Sequence, residues 1–582
     1  MIVKLLSQTQ YAKIRKRLLK LYGSQADGLI ERFFMMIGRY GVGLNVPTPK
    51  KSKWDESDVV LITYANTIRN DAPTETPLIA LRRFCESNLK GATPIIHLLP
   101  FYPWSSDDGF SVIDYREVDP DSGTWRDVEQ LGQSFELMFD YVMNHCSSES
   151  AWFKDYVLGI QPARYYFLEM DPDTDLSQVV RPRTSPLLTP TKTREGDSHI
   201  WTTFSADQVD LNWQNPDVLF EFLDILFLYI SKGSRILRLD AVAFLWKELG
   251  TTCIHHENTH EIVRLFRDVV EAVAPDLLIL TETNVPHEEN ISYFGRGNEA
   301  HMVYNFSLPP LLLHGLLRGD TTYLYSWAKD LSAPPKGCTY FNFTASHDGV
   351  GVRPLQGLVP DSELDFLVDQ VQSKGGKVSF RSMDDGSQRP YELNITYVSA
   401  LSEKDNESLS IERVLCSQAL AFSFRGMPAV YIHTLLGTPN WQEGFEETGR
   451  NRTLNRRHYG ESEINEIIED SENIQAKIMN RLVRLLRRRS SHSAFHPDGE
   501  MIIHDLGKEL FGFTRISPDQ QEVIICIFNF TAEKQSIKNP QNTPLLKSVK
   551  QFYDIVSGKT LGSGKNGIML EPYQALWLVP RS

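Results

Sequence analysis

The sequence predicts an α/β protein built on a (β/α)8 TIM barrel. A helical extension precedes the barrel, a lobe is inserted after its third strand, and a small β domain follows it. Two patterns in the 582-residue chain predict this. Eight short apolar runs alternate with amphipathic helical stretches, as parallel strands joined by crossover helices do. Several runs also end in an acid, and catalytic residues of barrels gather at the C-terminal ends of strands.

Residues 7–22 and 24–40 each open on a serine and close near a glycine, which predicts two capped helices. The charged stretch KKSKWDES (50–57) reads as a linker, so residues 1–57 form the helical extension. The barrel occupies 58–497. DVVLITY (58–64) is its first strand, 78–88 a helix and TPIIHLLP (93–100) the second strand, followed by the polar, aromatic loop FYPWSSDDGFSVIDY. A helix passes through 130–135, and MFDYVM (138–143) is the third strand, ending in Asn144 and His145. Residues 147–213 break the rhythm; rich in Pro, Thr and Asp, they predict a lobe over the barrel mouth. An apolar helix, 219–230, leads into the fourth strand within SKGSRILRLDAVAFLW (231–246). After a helix at 259–274, DLLILT (276–281) ends in Glu282. Strands at 300–306 and 338–345 follow, the second leading to His347 and Asp348. A second insert (357–397), a helix (411–424) and the eighth strand MPAVYI (427–432) complete the barrel. Beyond an arginine-rich helix, residues 498–582 turn to short alternating strands with Gly, Asn and Pro turns, a C-terminal β domain.

A net charge of −14, from 60 basic and 74 acidic residues, argues against nucleic acid as a partner. The basic run at 484–489 has helical spacing and reads as a solvated helix face. The longest apolar stretch, 220–230, is about half a membrane span, so no membrane association is expected. The N-terminus lacks the apolar core of a signal peptide. Six widely spaced cysteines form neither a metal-ligand pattern nor a disulfide framework, so reduced thiols in a cytoplasmic protein are expected. No metal site declares itself. The helical extension suits either a homodimer contact or a brace on the barrel.

In the fourth strand, an apolar run is broken by Arg238 and ends in Asp240. A buried charge pair is costly unless both ions are satisfied. Alone it reads equally as a structural ion pair or as a nucleophile held ionised by its arginine. Glu282 and Asp348, at the ends of other strands, change the balance. Retaining glycoside chemistry needs one carboxylate to attack the anomeric carbon and another, protonated, to serve the leaving oxygen. A short, rigid Asp suits the first role and a longer Glu the second.

RLDAV at Asp240, TETN at Glu282, ASHDG at Asp348 and DYVMNH at 140–145 resemble, in order, the signature blocks of the alpha-amylase superfamily. The resemblance implies Asp240 as nucleophile, Glu282 as acid/base and Asp348 as transition-state stabiliser. Arg238 would orient Asp240, and His145 and His347 would bind the glucosyl group. DDGFSVIDY, RPR (181–183), LGTTCIHHENTH, NFSLPPLLLH, SHDGVGV, GLVPDSEL and GRNRTLNRR narrow it to the sucrose phosphorylase subfamily. That likeness implies Asp107 and Arg452 clamping the far glucose hydroxyls, Phe204 and Gln208 lining the site, and Tyr391 on the loop over the acceptor. Blocks such as WTTFSADQVDLNW and DGSQRPYELNITY, with the N-terminal extension, look most like the glucosylglycerate phosphorylases. They imply phosphorolysis of 2-O-α-glucosylglycerate, with inorganic phosphate as co-substrate and no cofactor. Arg183 is the implied phosphate ligand, and Arg389 or Arg183 would meet a glycerate carboxylate. Sucrose, sucrose 6-phosphate and glucosylglycerol are the competing glucosides, and a retaining glucosidase or transglucosidase a further reading. The 357–397 insert is where acceptor choice is expected to reside.

Overall fold

The structure, a computed structural model, describes residues 6–71, 74–382, 387–537, 549, 551–562 and 568–581. Eight parallel strands close into a barrel: β1 (Val60–Thr63), β2 (Ile95–Leu98), β3 (Glu136–Val142), β4 (Ser234–Asp240), β5 (Leu278–Thr281), β6 (Met302–Tyr304), β7 (Thr339–Asn342) and β8 (Met427–Tyr431). Each strand neighbours the next in sequence, and β8 pairs with β1. Their near-continuous apolar runs follow from position, since a barrel strand is covered on both faces. The interruptions are informative. In the register between β3 and β4, Asp140 faces Arg238 and Val142 faces Asp240. The charges of two adjacent strands therefore meet inside the barrel mouth.

The N-terminal extension is helical and braces the barrel. Helix Gln8–Tyr22 starts at a Ser7 capping box and packs against helix Glu257–Val273, the crossover after β4. Arg17 lies 2.9 Å from Asp268 and 3.0 Å from Glu261 of that crossover. The second helix begins later than its serine suggests. Ser24 lies in a 3-10 turn, because Gly23 adopts a positive φ, and the helix runs Ala26–Met36. The charged stretch before β1 is not a free linker: Trp54 is buried and its indole donates to Asp498 at 2.9 Å. The helix expected across 130–135 is instead Trp125–Leu131, started by a Thr124–Asp127 capping box and ended at Gly132.

The inserted lobe carries helix Ala151–Leu158 and hairpin Leu188–Thr193/Gly196–Trp201. It returns through Gln208–Asp210, which pairs with His145–Ser147. That pairing brings Gln208 beside His145 although the two are far apart in sequence. After β7, residues 357–397 contribute helix Asp361–Ser373 and hairpin Lys377–Ser382/Gln388–Asn394. Val350–Gly351 adds to this hairpin as a third strand, with Gly351 opposite Glu392. Gly349 permits the approach, since a Cβ there would lie 2.6 Å from the Leu393 carbonyl oxygen. At the C-terminus, six antiparallel strands form one sheet in the order Glu500–His504, Leu510–Ile516, Val523–Asn529, Ala575–Arg581, Gln551–Asp554, Lys559–Gly562. Among the described residues no helix is long and apolar enough to cross a membrane. All six cysteines are buried and unpaired.

Candidate active site

The barrel mouth gathers the acids through backbone geometry. Arg238 donates to Asp240 at 2.7 Å and also to Asp140, whose other oxygen lies 2.7 Å from His97 Nε2. Past Asp240 the chain turns through Ala241 in the left-handed region, and the Ala241 N–H donates to Glu282 Oε2 at 3.2 Å. The Glu282 N–H in turn donates to the Leu239 carbonyl at 3.1 Å, extending the β4–β5 ladder by one residue. Two carboxylates on neighbouring strands are thereby fixed against each other.

Asp348 is not at a strand end. Strand β7 stops at Asn342, and Asp348 lies on the loop beyond, held by the GRNRTLNRR segment. Asn455 donates to the Ser346 and Asp348 carbonyls at 2.7 and 3.1 Å, and Arg456 to the His347 carbonyl at 2.9 Å. Arg452 lies 2.7 Å from Asp348 and grips Glu392 with two donors at 3.0 and 2.8 Å. Its distance to Asp107 is longer, 3.8 Å. The DDG loop that presents Asp107 is strained: Asp107, Asp108 and Gly109 all have positive φ. Gly109 has no room for a side chain, because a Cβ would meet the Pro100 carbonyl oxygen at 2.6 Å. Strain of this kind is retained where the surroundings enforce it, commonly at functional sites.

Gln208 donates to Asp107 at 3.2 Å and sits 3.2 Å from His145, whose ring contacts the Phe110 carbonyl at 3.0 Å. The Phe110 ring stacks on His347 at 4.7 Å, and Phe204 packs beside His145 at 5.3 Å. The guanidinium of Arg183 lies over the ring of Tyr391 at 5.7 Å.

Burial sets the acids apart. It pushes the Glu282 carboxyl up to about 7, against the pull of Arg238 and with the charges of Asp240 and Asp348 adding to the rise. Burial also raises Asp240, and Arg238 opposes that rise. Burial works against ionised Asp348 as well, yet Arg452 and Arg456 outweigh it and hold this acid below the usual carboxylate range. Burial, with Arg456 and Arg238 nearby, drives His347 well below the ordinary imidazole value, so it is neutral.

These groups surround one cavity that opens to solvent. Asp107, His145, Arg183, Phe204, Gln208, Arg238, Asp240, Glu282, His347, Asp348, Tyr391 and Arg452 all line it. Arg181 and Arg389 do not. Arg181 is exposed and donates to the Ser185 carbonyl, while Arg389 stands half-exposed 3.8 Å from Asp361. Sequence reasoning passed over Phe110, Phe244, Asn284, Arg353 and Glu392, which share the lining. Phe110 lies within the DDGFSVIDY block and Asn284 within TETN, while Glu392 directly follows Tyr391. Among the described residues no three His, Cys, Asp or Glu side chains are arranged to hold a metal ion.

The profile of the alpha amylase catalytic domain matches residues 91–316, a span that holds Asp240 and Glu282. A glucosylglycerate phosphorylase of Spirochaeta thermophila is 44% identical over 533 residues, covering 90% of each chain. One of Escherichia coli K12 is 44% identical over 535 residues, covering 91% of this chain and 93% of its own. The chain belongs to the glucosylglycerate phosphorylase family, within the alpha-amylase clan. Among solved structures, the sucrose 6F-phosphate phosphorylase from Thermoanaerobacter thermosaccharolyticum superposes with a TM-score of 0.71 at 26% identity, covering 83% of this chain and 96% of that one. Like the other members of its family, this chain is an enzyme of the glycosyltransferase type.

Proposed function

We propose that the protein is a retaining glucoside phosphorylase that reversibly cleaves 2-O-α-glucosylglycerate with phosphate, giving α-glucose 1-phosphate and glycerate. The observation that carries the mechanism is the pair Asp240–Glu282. One acid is hydrogen-bonded by Arg238, and the other retains its proton near neutral pH. In the first displacement Asp240 attacks the anomeric carbon as the bond to the glycerate oxygen breaks. Glu282 gives its proton to that oxygen. The product is a β-glucosyl ester on Asp240, with Glu282 now ionised. In the second, Glu282 takes the proton of an incoming hydrogen phosphate, whose oxygen bonds to the anomeric carbon. The ester bond breaks and its electron pair returns to Asp240. Two inversions retain the α configuration.

Asp348, ionised through Arg452, binds ring hydroxyls as positive charge develops. Asp107 and Arg452 hold the far hydroxyls, a vicinal diol matching one acceptor and one donor fork. His145, neutral His347, Phe204 and Gln208 complete the glucosyl pocket. Tyr391 and Arg183 stand on the acceptor side, where Arg183 meets phosphate. The names of the near full-length relatives support glycerate as the acceptor. The six buried, unpaired thiols support a cytoplasmic location. A homodimer is part of the proposal; light scattering tests it, and a monomeric mass removes it.

An acceptor panel in the synthetic direction tests the substrate. With glucose 1-phosphate as donor, glycerate is expected to outpace glycerol, fructose and fructose 6-phosphate. Preference for any of the others replaces the acceptor and leaves the displacement chemistry standing.

A further inference from the structure

We propose that Arg353 recognises the carboxylate of the acceptor, leaving Arg183 to phosphate. This rests on the function proposed above. A glucosyl-enzyme that exchanges glycerate for phosphate must receive two different anions, in turn, on the same side of the sugar. The cavity has four arginines. Two are already committed to carboxylates at 3.0 Å or less. Arg238 serves Asp140 and Asp240, and Arg452 serves Asp348 and Glu392 with three of its nitrogens. Arg183 and Arg353 remain.

Their surroundings differ in a way that separates the two anions. Arg183 forms no ion pair with a described residue and rests on the Tyr391 ring. With Asp348 acting on it only at longer range, its charge is weakly compensated and suits a dianion. The Arg353 side chain is 13% exposed, and its one ion pair with a described residue, Glu289, is long at 3.8 Å. Its Nε is buried and has no hydrogen-bond partner among the described residues. A buried guanidinium with unfilled donors is costly, and a planar carboxylate fills them two at a time. Glu289 partly offsets its charge, which favours a monoanion over a dianion.

Position and rigidity point the same way. Arg353 opens a 3-10 turn directly after Val350–Gly351, the strand that pairs with Leu393 and Glu392. Gly351 lets Asn284 pack against this strand, since a Cβ there would meet the Asn284 amide at 2.6 Å. Asn284 also lines the cavity, two residues after Glu282, and its buried Oδ1 has no partner among the described residues. One wall beside the proton donor thus holds a guanidinium and an amide that both line the cavity and whose buried Nε and Oδ1 have no partner among the described residues. A 2-hydroxy acid with a terminal hydroxyl supplies the complement of both: carboxylate to Arg353, hydroxyl to Asn284.

The test compares R353Q and R353K with wild type. It measures kcat/KM for glycerate with glucose 1-phosphate as donor, and kcat/KM for phosphate, which in a double displacement is independent of the donor. R353Q is expected to lower kcat/KM for glycerate about a hundredfold, as loss of a buried charge-assisted pair does, and kcat/KM for phosphate less than about threefold. R353K, which keeps a point charge without the fork, is expected to fall between wild type and R353Q for glycerate. Retained phosphate turnover shows each variant folded; if R353Q yields no active protein, the same split is read from R353K. A parallel loss for both anions, or an unchanged glycerate value, overturns the assignment. Wild type that prefers glycerol to glycerate overturns the underlying function instead, whatever the variants do.

Discussion

At the scale of single residues, the proposed mechanism rests on two adjacent acids that burial raises, Asp240 with Arg238 opposing the rise and Glu282 lifted to about 7. Asp240→Asn removes the nucleophile while preserving shape, so activity is expected to fall roughly a thousandfold or more with the melting temperature little changed. Near-normal turnover by that variant contradicts the assignment. Glu282 gives a pH signature. Its folded value of about 7 lies above the ordinary 4.5, so the native state holds a proton that the unfolded chain has released. Stability from this group is therefore complete below pH 4.5 and is lost as pH rises through 7. Wild type should lose melting temperature relative to Glu282→Gln over that interval, and turnover of glucosides with poor leaving groups should fall above pH 7. Parallel melting curves for the two proteins contradict the raised value. Some of this was legible in the sequence. An arginine and an aspartate inside an apolar run have few explanations, so Arg238 and Asp240 stood out. Glu392 and Arg353 did not, because acids and arginines on loops are usually solvated. Only the fold shows that Glu392 is 2% exposed beneath Arg452.

At the scale of elements, two inserts complete what the strands begin. The inserted lobe returns Gln208 to His145 through a short antiparallel pair, and the hairpin after β7 carries Tyr391 and Glu392 to the mouth. Gly349 sets how closely that hairpin seats. Gly349→Ala forces a Cβ to 2.6 Å from the Leu393 carbonyl, so the hairpin must shift and take Glu392 from Arg452. Activity is expected to fall about tenfold or more, with about 1–3 kcal/mol of stability lost in denaturant titration. Wild-type kinetics in this variant contradict a seated hairpin. The strands were legible because period and burial agree along them. Boundaries were less so: β7 stops at Asn342, and the placing of Asp348 depends on Asn455 and Arg456 from a distant segment. Long-range hydrogen bonds of that kind leave no local pattern.

At the scale of the molecule, the barrel is held to its neighbours by buried cations. Arg489 donates to the Phe422 and Phe495 carbonyls, at 2.6 and 3.0 Å, and to the Glu56 carbonyl. Arg515, from the C-terminal sheet, donates to the Ser423 and His496 carbonyls, both at 2.7 Å. Phe422 and Ser423 end helix Glu407–Ser423, whose last carbonyls need donors. Arg515→Met strands these carbonyls, so about 3 kcal/mol of stability should be lost with kcat/KM preserved. An unchanged melting temperature contradicts that role. The sequence marked the C-terminal strands but not this joint, since a buried arginine paired only to backbone has no partner in sequence. Double displacement through Asp240 onto phosphate is tested by proton NMR of the first sugar phosphate formed from glucosylglycerate. α-Glucose 1-phosphate is expected, formed only when phosphate is present. The β anomer, or glucose released equally well without phosphate, would contradict it.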